Sequence, residues 1–159
     1  MPIATGSKSR LLIVDDEPGN IRILSNILAD DYMLSAATNA KQALALAESQ
    51  SPDLILLDMV MPDMDGLAVC EALKASEETR DIPVIFVTSM DDSENEERGL
   101  LAGAVDYISK PVSPPIVKAR VKIHIQNFLT VRFLESLLSS QTTSLDEAKT
   151  QAKSLLVFA

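Results

Sequence analysis

The chain has 159 residues, is 47% apolar with only 4% aromatic residues and no Trp, and carries a formal net charge of −9. That length suits one domain plus an extension, the core must be aliphatic, and the acidic balance argues against nucleic acid, whose phosphates it would repel. A single cysteine, Cys70, excludes an internal disulfide. No apolar run approaches the roughly 18 residues of a membrane span, so no membrane association and a cytoplasmic location are expected.

Residues 1–9 are small and polar and read as a disordered lead. Leu11-Leu12-Ile13-Val14 is then apolar on every residue and ends in Asp15-Asp16. Pro18 to Ala29 follows with Ile21, Leu24, Ile27 and Leu28 on one helical face. Met33 to Ala37 is a weaker strand candidate. Asn39 can cap the next helix, with Gln42 three residues later and Ala43, Leu44 and Ala47 facing inward. A second apolar run, Leu54-Ile55-Leu56-Leu57, ends in Asp58. Pro62 supplies a rigid turn and Asp65-Gly66 leads into a helix over Leu67 to Leu73. Val84-Ile85-Phe86-Val87 ends in Thr88. Ser93-Glu94-Asn95-Glu96 has capping-box spacing and opens a helix that Gly103 can close. Val105 to Ser109 is the last strand candidate, before Lys110. Ser113-Pro114-Pro115 places prolines at a helix start, where a missing N–H matters little.

Short runs that are apolar at every position fit strands buried on both faces. Five β/α units with helical crossovers predict a doubly wound five-stranded parallel sheet over residues 10–125. Ile116 to Leu138 reads as one long helix with an apolar stripe of Val121, Ile125, Phe128, Leu129, Phe133, Leu137 and Leu138. Gln141-Thr142-Thr143 breaks it, and Ser144-Leu145-Asp146-Glu147 starts a short helix to Leu156. Residues 126–159 are therefore expected to form a helical linker or dimerisation extension.

In an open α/β sheet, ligands bind outside the carboxyl ends of the strands. Asp15 and Asp16 follow the first strand, Asp58 the third, Thr88 the fourth and Lys110 the fifth, so the topology brings them to one edge. Three close carboxylates resist joint ionisation and call for a cation. An oxygen-rich, partly hydrated site suits Mg2+, and Lys110 adds a fixed positive charge. The thioethers of Met59, Met61 and Met64 suit softer metals and are read as packing. An Asp nucleophile with a hard metal, a hydroxyl and a lysine is suited to phosphoryl transfer.

Four stretches carry a family resemblance: Val14-Asp15-Asp16-Glu17-Pro18; Leu57-Asp58-Met59-Val60-Met61-Pro62-Asp63-Met64-Asp65-Gly66; Thr88-Ser89; and Tyr107-Ile108-Ser109-Lys110-Pro111. Together they resemble the receiver domain of bacterial two-component response regulators. The resemblance implies the flavodoxin-like receiver fold and makes Asp58 the acceptor of a phosphoryl group from a sensor histidine kinase or phosphotransfer protein. It implies that Asp16, Asp58 and the backbone carbonyl of Val60 hold Mg2+, with Asp15 acting mainly through a bound water. Lys110 would pair with Asp58 and then with the phosphoryl oxygens. Thr88 would bond the phosphoryl group, and Tyr107 would change rotamer as Thr88 moves. A cis Lys110–Pro111 bond is also implied, as is a homodimer through the fourth helix, fifth strand and fifth helix, and the apolar stripe from Val121 to Leu138 is expected to pair the long last helix with its mate. Such a chain catalyses only its own phosphorylation and dephosphorylation.

The segment Lys110 to Val121 resembles receivers fused to cyclic-di-GMP cyclases and phosphodiesterases, and the output domain is expected to be absent or removed. Two rivals are a constitutive scaffold receiver and an aspartyl-phosphate phosphatase of the haloacid-dehalogenase type. The phosphatase carries its nucleophile after the first strand in an Asp-x-Asp pattern, where this chain has adjacent Asp15-Asp16. Tyr107 can also be read as edge packing, Glu17 as a solvated helix-start carboxylate, Cys70 as core, and His124 as a helix-surface or interface residue.

Overall fold

A computed structural model describes residues 7–62, 65–89 and 93–141. The chain alternates strictly: β1 (Arg10–Val14), α1 (Pro18–Leu28), β2 (Met33–Ala37), α2 (Ala40–Gln50), β3 (Leu54–Leu57), α3 (Gly66–Ala75), β4 (Val84–Thr88), α4 (Ser93–Leu101), β5 (Asp106–Ser109) and α5 (Pro114–Gln141). The five strands form one parallel sheet in the order β2-β1-β3-β4-β5. The chain winds outward from β1 to β2, then reverses and builds β3, β4 and β5 on the other side. That reversal opens a crevice at the carboxyl ends of β1 and β3.

Pleat alternation divides each apolar run between two cores. Leu11, Ile13, Leu54, Leu56, Ile85 and Val87 face Leu24 and Leu28 of α1 and Val117, Val121 and Ile125 of α5. Leu12, Val14, Ile55, Leu57, Val84 and Phe86 face Ala40, Ala43 and Ala47 of α2 and Val69, Cys70 and Leu73 of α3. Full burial of each Leu or Ile is worth roughly 1.5–3 kcal/mol, so the three central strands fix the register against slippage. A one-residue shift would exchange the two cores.

Local signals set the helix ends. Asn39 accepts from Gln42 N–H at 2.8 Å, while the Gln42 side chain accepts from Thr38 N–H at 3.0 Å, one residue before the capping-box position. Asp65 accepts from Ala68 N–H at 2.8 Å and starts α3 at Gly66. Gly103 has φ of 109°, in the left-handed region that glycine tolerates, and its N–H donates to Leu100 O after α4. The side chains of the Ser93-Glu94 pair, Met64, the break at Thr142-Thr143 and the expected helix from Ser144 to Leu156 lie outside the described residues.

α5 is 28 residues long. The chain divides into two units, residues 1–125 and 126–159. In the first, Val117, Val121 and Ile125 anchor α5 in the core. In the second, Leu129, Val131, Phe133, Leu134 and Leu137 are exposed, and Arg132 lies over the Phe128 ring. Among the described residues, no helix is long and apolar enough to cross a membrane.

Candidate functional site

Asp15 stands directly after β1, where its N–H donates to Ala37 O at 3.1 Å. Its Oδ1 accepts from Glu17 N–H at 2.9 Å and from Asn20 Nδ2 at 3.4 Å, so the carboxylate also shapes the turn into α1. Asp58 follows β3, and its N–H donates to Val14 O at 2.9 Å. That bond keeps the start of the β3–α3 loop against the end of β1. Asp58 Oδ1 accepts from Val60 N–H at 3.3 Å.

Asp15, Asp58 and Thr88 are buried, and Asp16 is partly so. Asp15, Asp16 and Asp58 each offer a carboxylate oxygen within 4.8 Å of the others. Oxygens bound to one hard cation at roughly 2.1 Å lie at most about 4.2 Å apart, so modest side-chain rotation would let all three share an ion. The donor set is all oxygen. These residues therefore fit a hard divalent cation.

Lys110 follows β5, and its N–H donates to Thr88 O at 3.0 Å. The resemblance pairs it with Asp58. Here its nearer partner is Asp15, with Nζ at 2.7 Å, while Asp58 Oδ2 is 3.8 Å away. The Lys110–Pro111 peptide is cis. Burial pushes the Asp58 carboxyl above the usual range, and the Asp15 and Asp16 charges push the same way. Lys110 and the Val60 N–H oppose them without prevailing.

This shift links to stability. A carboxyl with a raised folded-state pKa contributes stability below its unfolded pKa and loses it as pH rises through the folded value. With a chelator present at neutral pH, Asp58→Asn should therefore melt at a higher temperature than the wild type. The difference should vanish below the ordinary Asp pKa of about 3.9. Thermal denaturation across that range checks it.

Thr88 ends β4, and Tyr107 sits in β5. The register pairs Phe86 with Tyr107 and Thr88 with Ser109, so the pleat puts Tyr107 on the Thr88 face, one pair back. Tyr107 packs against the cluster that holds Phe86 and Met59.

Gly66 brings α3 onto the Asp58 loop. Its N–H donates to Met59 O at 2.7 Å. A Cβ at this position would lie 2.2 Å from Asp58 O and 2.7 Å from Met59 Cα, so only glycine allows the approach. Its place at a helix start was readable from the sequence, but this contact was not. Asn20, Asp106 and Arg120 gave no signal of their contacts in the sequence, and Asp65 read as a helix entry without its capping bond. The spacings available were Asp65 three residues before Ala68, and the four-residue step from Arg120 to His124. Glu17 lies at the start of α1, Cys70 is buried in the core, and Val60 is exposed.

Known proteins resemble this chain over most of its length. Residues 11–122 match the family described as response regulator receiver domain. A probable cyclic di-GMP phosphodiesterase of Vibrio cholerae is 46% identical over 121 residues, covering 76% of this chain and 27% of that protein. Response regulator PleD of Caulobacter vibrioides is 42% identical over 115 residues, covering 72% of this chain and 25% of that protein. The chain thus spans about a quarter of the length of these relatives. Among solved structures, a CheY-like response regulator receiver domain protein from Methanospirillum hungatei aligns with a TM-score of 0.72 at 31% identity, covering 78% of this chain and 98% of that one.

Proposed function

The chain belongs to the response-regulator receiver domain family, and from that premise we propose that Asp58 accepts a phosphoryl group from a sensor histidine kinase or phosphotransfer protein. One observation carries the reading: Asp15, Asp16, Asp58, Thr88 and Lys110, from the ends of four strands, meet at one edge of the sheet. An Asp58 oxygen attacks phosphorus, the new O–P bond forms as the N–P bond of phosphohistidine breaks, and the imidazole leaves. Asp16, Asp58 and the Val60 carbonyl would hold Mg2+, with Asp15 supporting it; the ion supplies charge neutralisation for the transferred group. Lys110 adds a second positive charge beside the same oxygens, and Thr88 offers its hydroxyl.

Phosphorylation brings about −1.5 to −2 charges and strong acceptor oxygens to one point. Thr88 moves toward them, Tyr107 turns, and the face of α4, β5 and α5 changes. That face and the long α5 would then control a homodimer or an output partner in the cytoplasm. The chain turns over no other substrate. Similarity to the Vibrio cholerae protein favours an output connected with cyclic di-GMP.

The test is incubation with acetyl phosphate. Covalent labelling with Mg2+, abolished by a chelator, is expected; an unlabelled folded chain contradicts the reading and leaves a constitutive scaffold. Sedimentation with and without beryllofluoride should show tighter self-association when loaded, and an unchanged monomer would remove the dimer from the proposal. Thr88→Ala should still be labelled yet lose the change in association. The phosphatase alternative would need its nucleophile after β1. There Asp15 is committed to Lys110, the Glu17 N–H and Asn20, which disfavours it.

A further inference from the structure

Three charged or titratable side chains outside the acidic site meet where β5 faces α5. Asp106 immediately precedes Tyr107. Its Oδ1 accepts from Tyr107 N–H at 2.8 Å and from Arg120 Nη1 at 2.5 Å, and its Oδ2 lies 2.9 Å from His124 Nε2. Arg120 Nη1 also donates to Tyr107 O at 3.3 Å. Both main-chain polar groups of Tyr107 are therefore engaged by one cluster. Among the described residues β5 is an outermost strand of the sheet, paired only with β4, so α5 is what this side of Tyr107 can push against.

Arg120 and His124 are four residues apart and share one face of α5. Val117, Val121 and Ile125 hold the same helix segment in the core. Burial works against ionisation of Asp106, yet the His124 bond, the Tyr107 N–H and the Arg120 charge together hold its carboxyl below the usual range. Asp106 is thus an ionised acceptor shared by three donors. Charge-assisted bonds of this kind are short and directional, and losing one leaves a half-buried charge poorly matched. A shift of the Tyr107 main chain must either carry Arg120 and His124 with it or break bonds in the cluster.

We infer that Asp106, Arg120 and His124 are positioning residues that carry the state of Tyr107 into α5. This inference rests on the phosphoacceptor reading, because loading of Asp58 is what moves Tyr107. It adds a route by which the change leaves the sheet, through β5 into the last turns of α5 before Ile125. A passive strut would hold the same bonds in both states.

Composition makes the test unusually direct. His124 is the only histidine, and Tyr32→Phe leaves Tyr107 as the only tyrosine. The imidazole resonances of His124 and the ring resonances of Tyr107 can be followed by NMR in the full chain at one pH, with and without beryllofluoride and Mg2+. Both sets should move on loading in the Tyr32→Phe background. In Asp106→Asn the Tyr107 response should persist while the His124 response is lost. Arg120→Gln, at a more exposed position, should at least halve the His124 response, and Arg120→Lys should restore most of it; this pair keeps the test open if Asp106→Asn folds poorly. A His124 signal that stays put while Tyr107 moves overturns the inference, as does a full His124 response in Asp106→Asn. Failure of the underlying reading looks different: the wild type then takes no label from acetyl phosphate at all.

Discussion

Asp58→Asn is expected to take up no phosphoryl group from acetyl phosphate, its signal falling to background where the wild type is labelled. Asn is nearly the same size, so the Asp58 N–H bond to Val14 O and the packing around the loop should survive. The change removes the proposed anionic nucleophile and one of the three carboxylates that could hold a cation. Neither remaining acid is placed to substitute. Asp15 is held by Lys110 at 2.7 Å and by the Glu17 N–H, and Asp16 is the more solvent-exposed member of the cluster. A phosphate-specific gel, run beside a melting curve to show that the variant is folded, reads the result. Undiminished labelling of Asp58→Asn would move the acceptor elsewhere.

Gly66→Ala should damage both stability and labelling, for a reason that lies in the backbone. The added Cβ would sit 2.2 Å from Asp58 O, far inside ordinary contact, and the obstructing atoms are main chain, which cannot rotate away. Either α3 moves off the loop, weakening the bond from Gly66 N–H to Met59 O, or the main chain of Asp58 itself shifts. Overpacking of this kind costs typically ~1–3 kcal/mol, and the higher helix propensity of Ala returns at most ~1 kcal/mol. A lower denaturation midpoint with slower labelling is the expected pair of results. Gly19→Ala is the matched control. It lies in α1 with nothing within 4 Å of the added atom, so it should be neutral or stabilising by up to ~1 kcal/mol. Denaturant titration of both variants checks the contrast.

The parts of this protein that could be read from sequence are those governed by local pattern. Val84 to Thr88 announced a doubly buried strand because every residue is apolar until the terminal hydroxyl, and all five are buried. Met33 to Ala37 gave a weaker signal because it is an edge strand, with no more than one fully buried residue. The placing of Asp15, Asp16, Asp58, Thr88 and Lys110 followed from topology, since residues after parallel strands end at the same edge. What stayed hidden depends on distance in space. Nothing near Asp106 in the sequence signals Arg120 and His124, because their meeting requires α5 to lie beside β5. Lys110 was expected to pair with Asp58, and the geometry adds a shorter bond to Asp15, at 2.7 Å against 3.8 Å. Likewise the apolar pattern of α5 continues past Ile125, whereas the division between the two units falls there.

The central claim, that the carboxylate after β3 is the group that becomes phosphorylated, has a direct chemical readout. Borohydride reduces an acyl phosphate to an alcohol, so a phosphorylated aspartate becomes homoserine and keeps its position in the chain. After treatment with acetyl phosphate and Mg2+, then borohydride, peptide mass spectrometry should find homoserine at position 58 and intact aspartate at 15 and 16. Homoserine at 15 or 16, or an unmodified Asp58 in a labelled protein, would contradict the account.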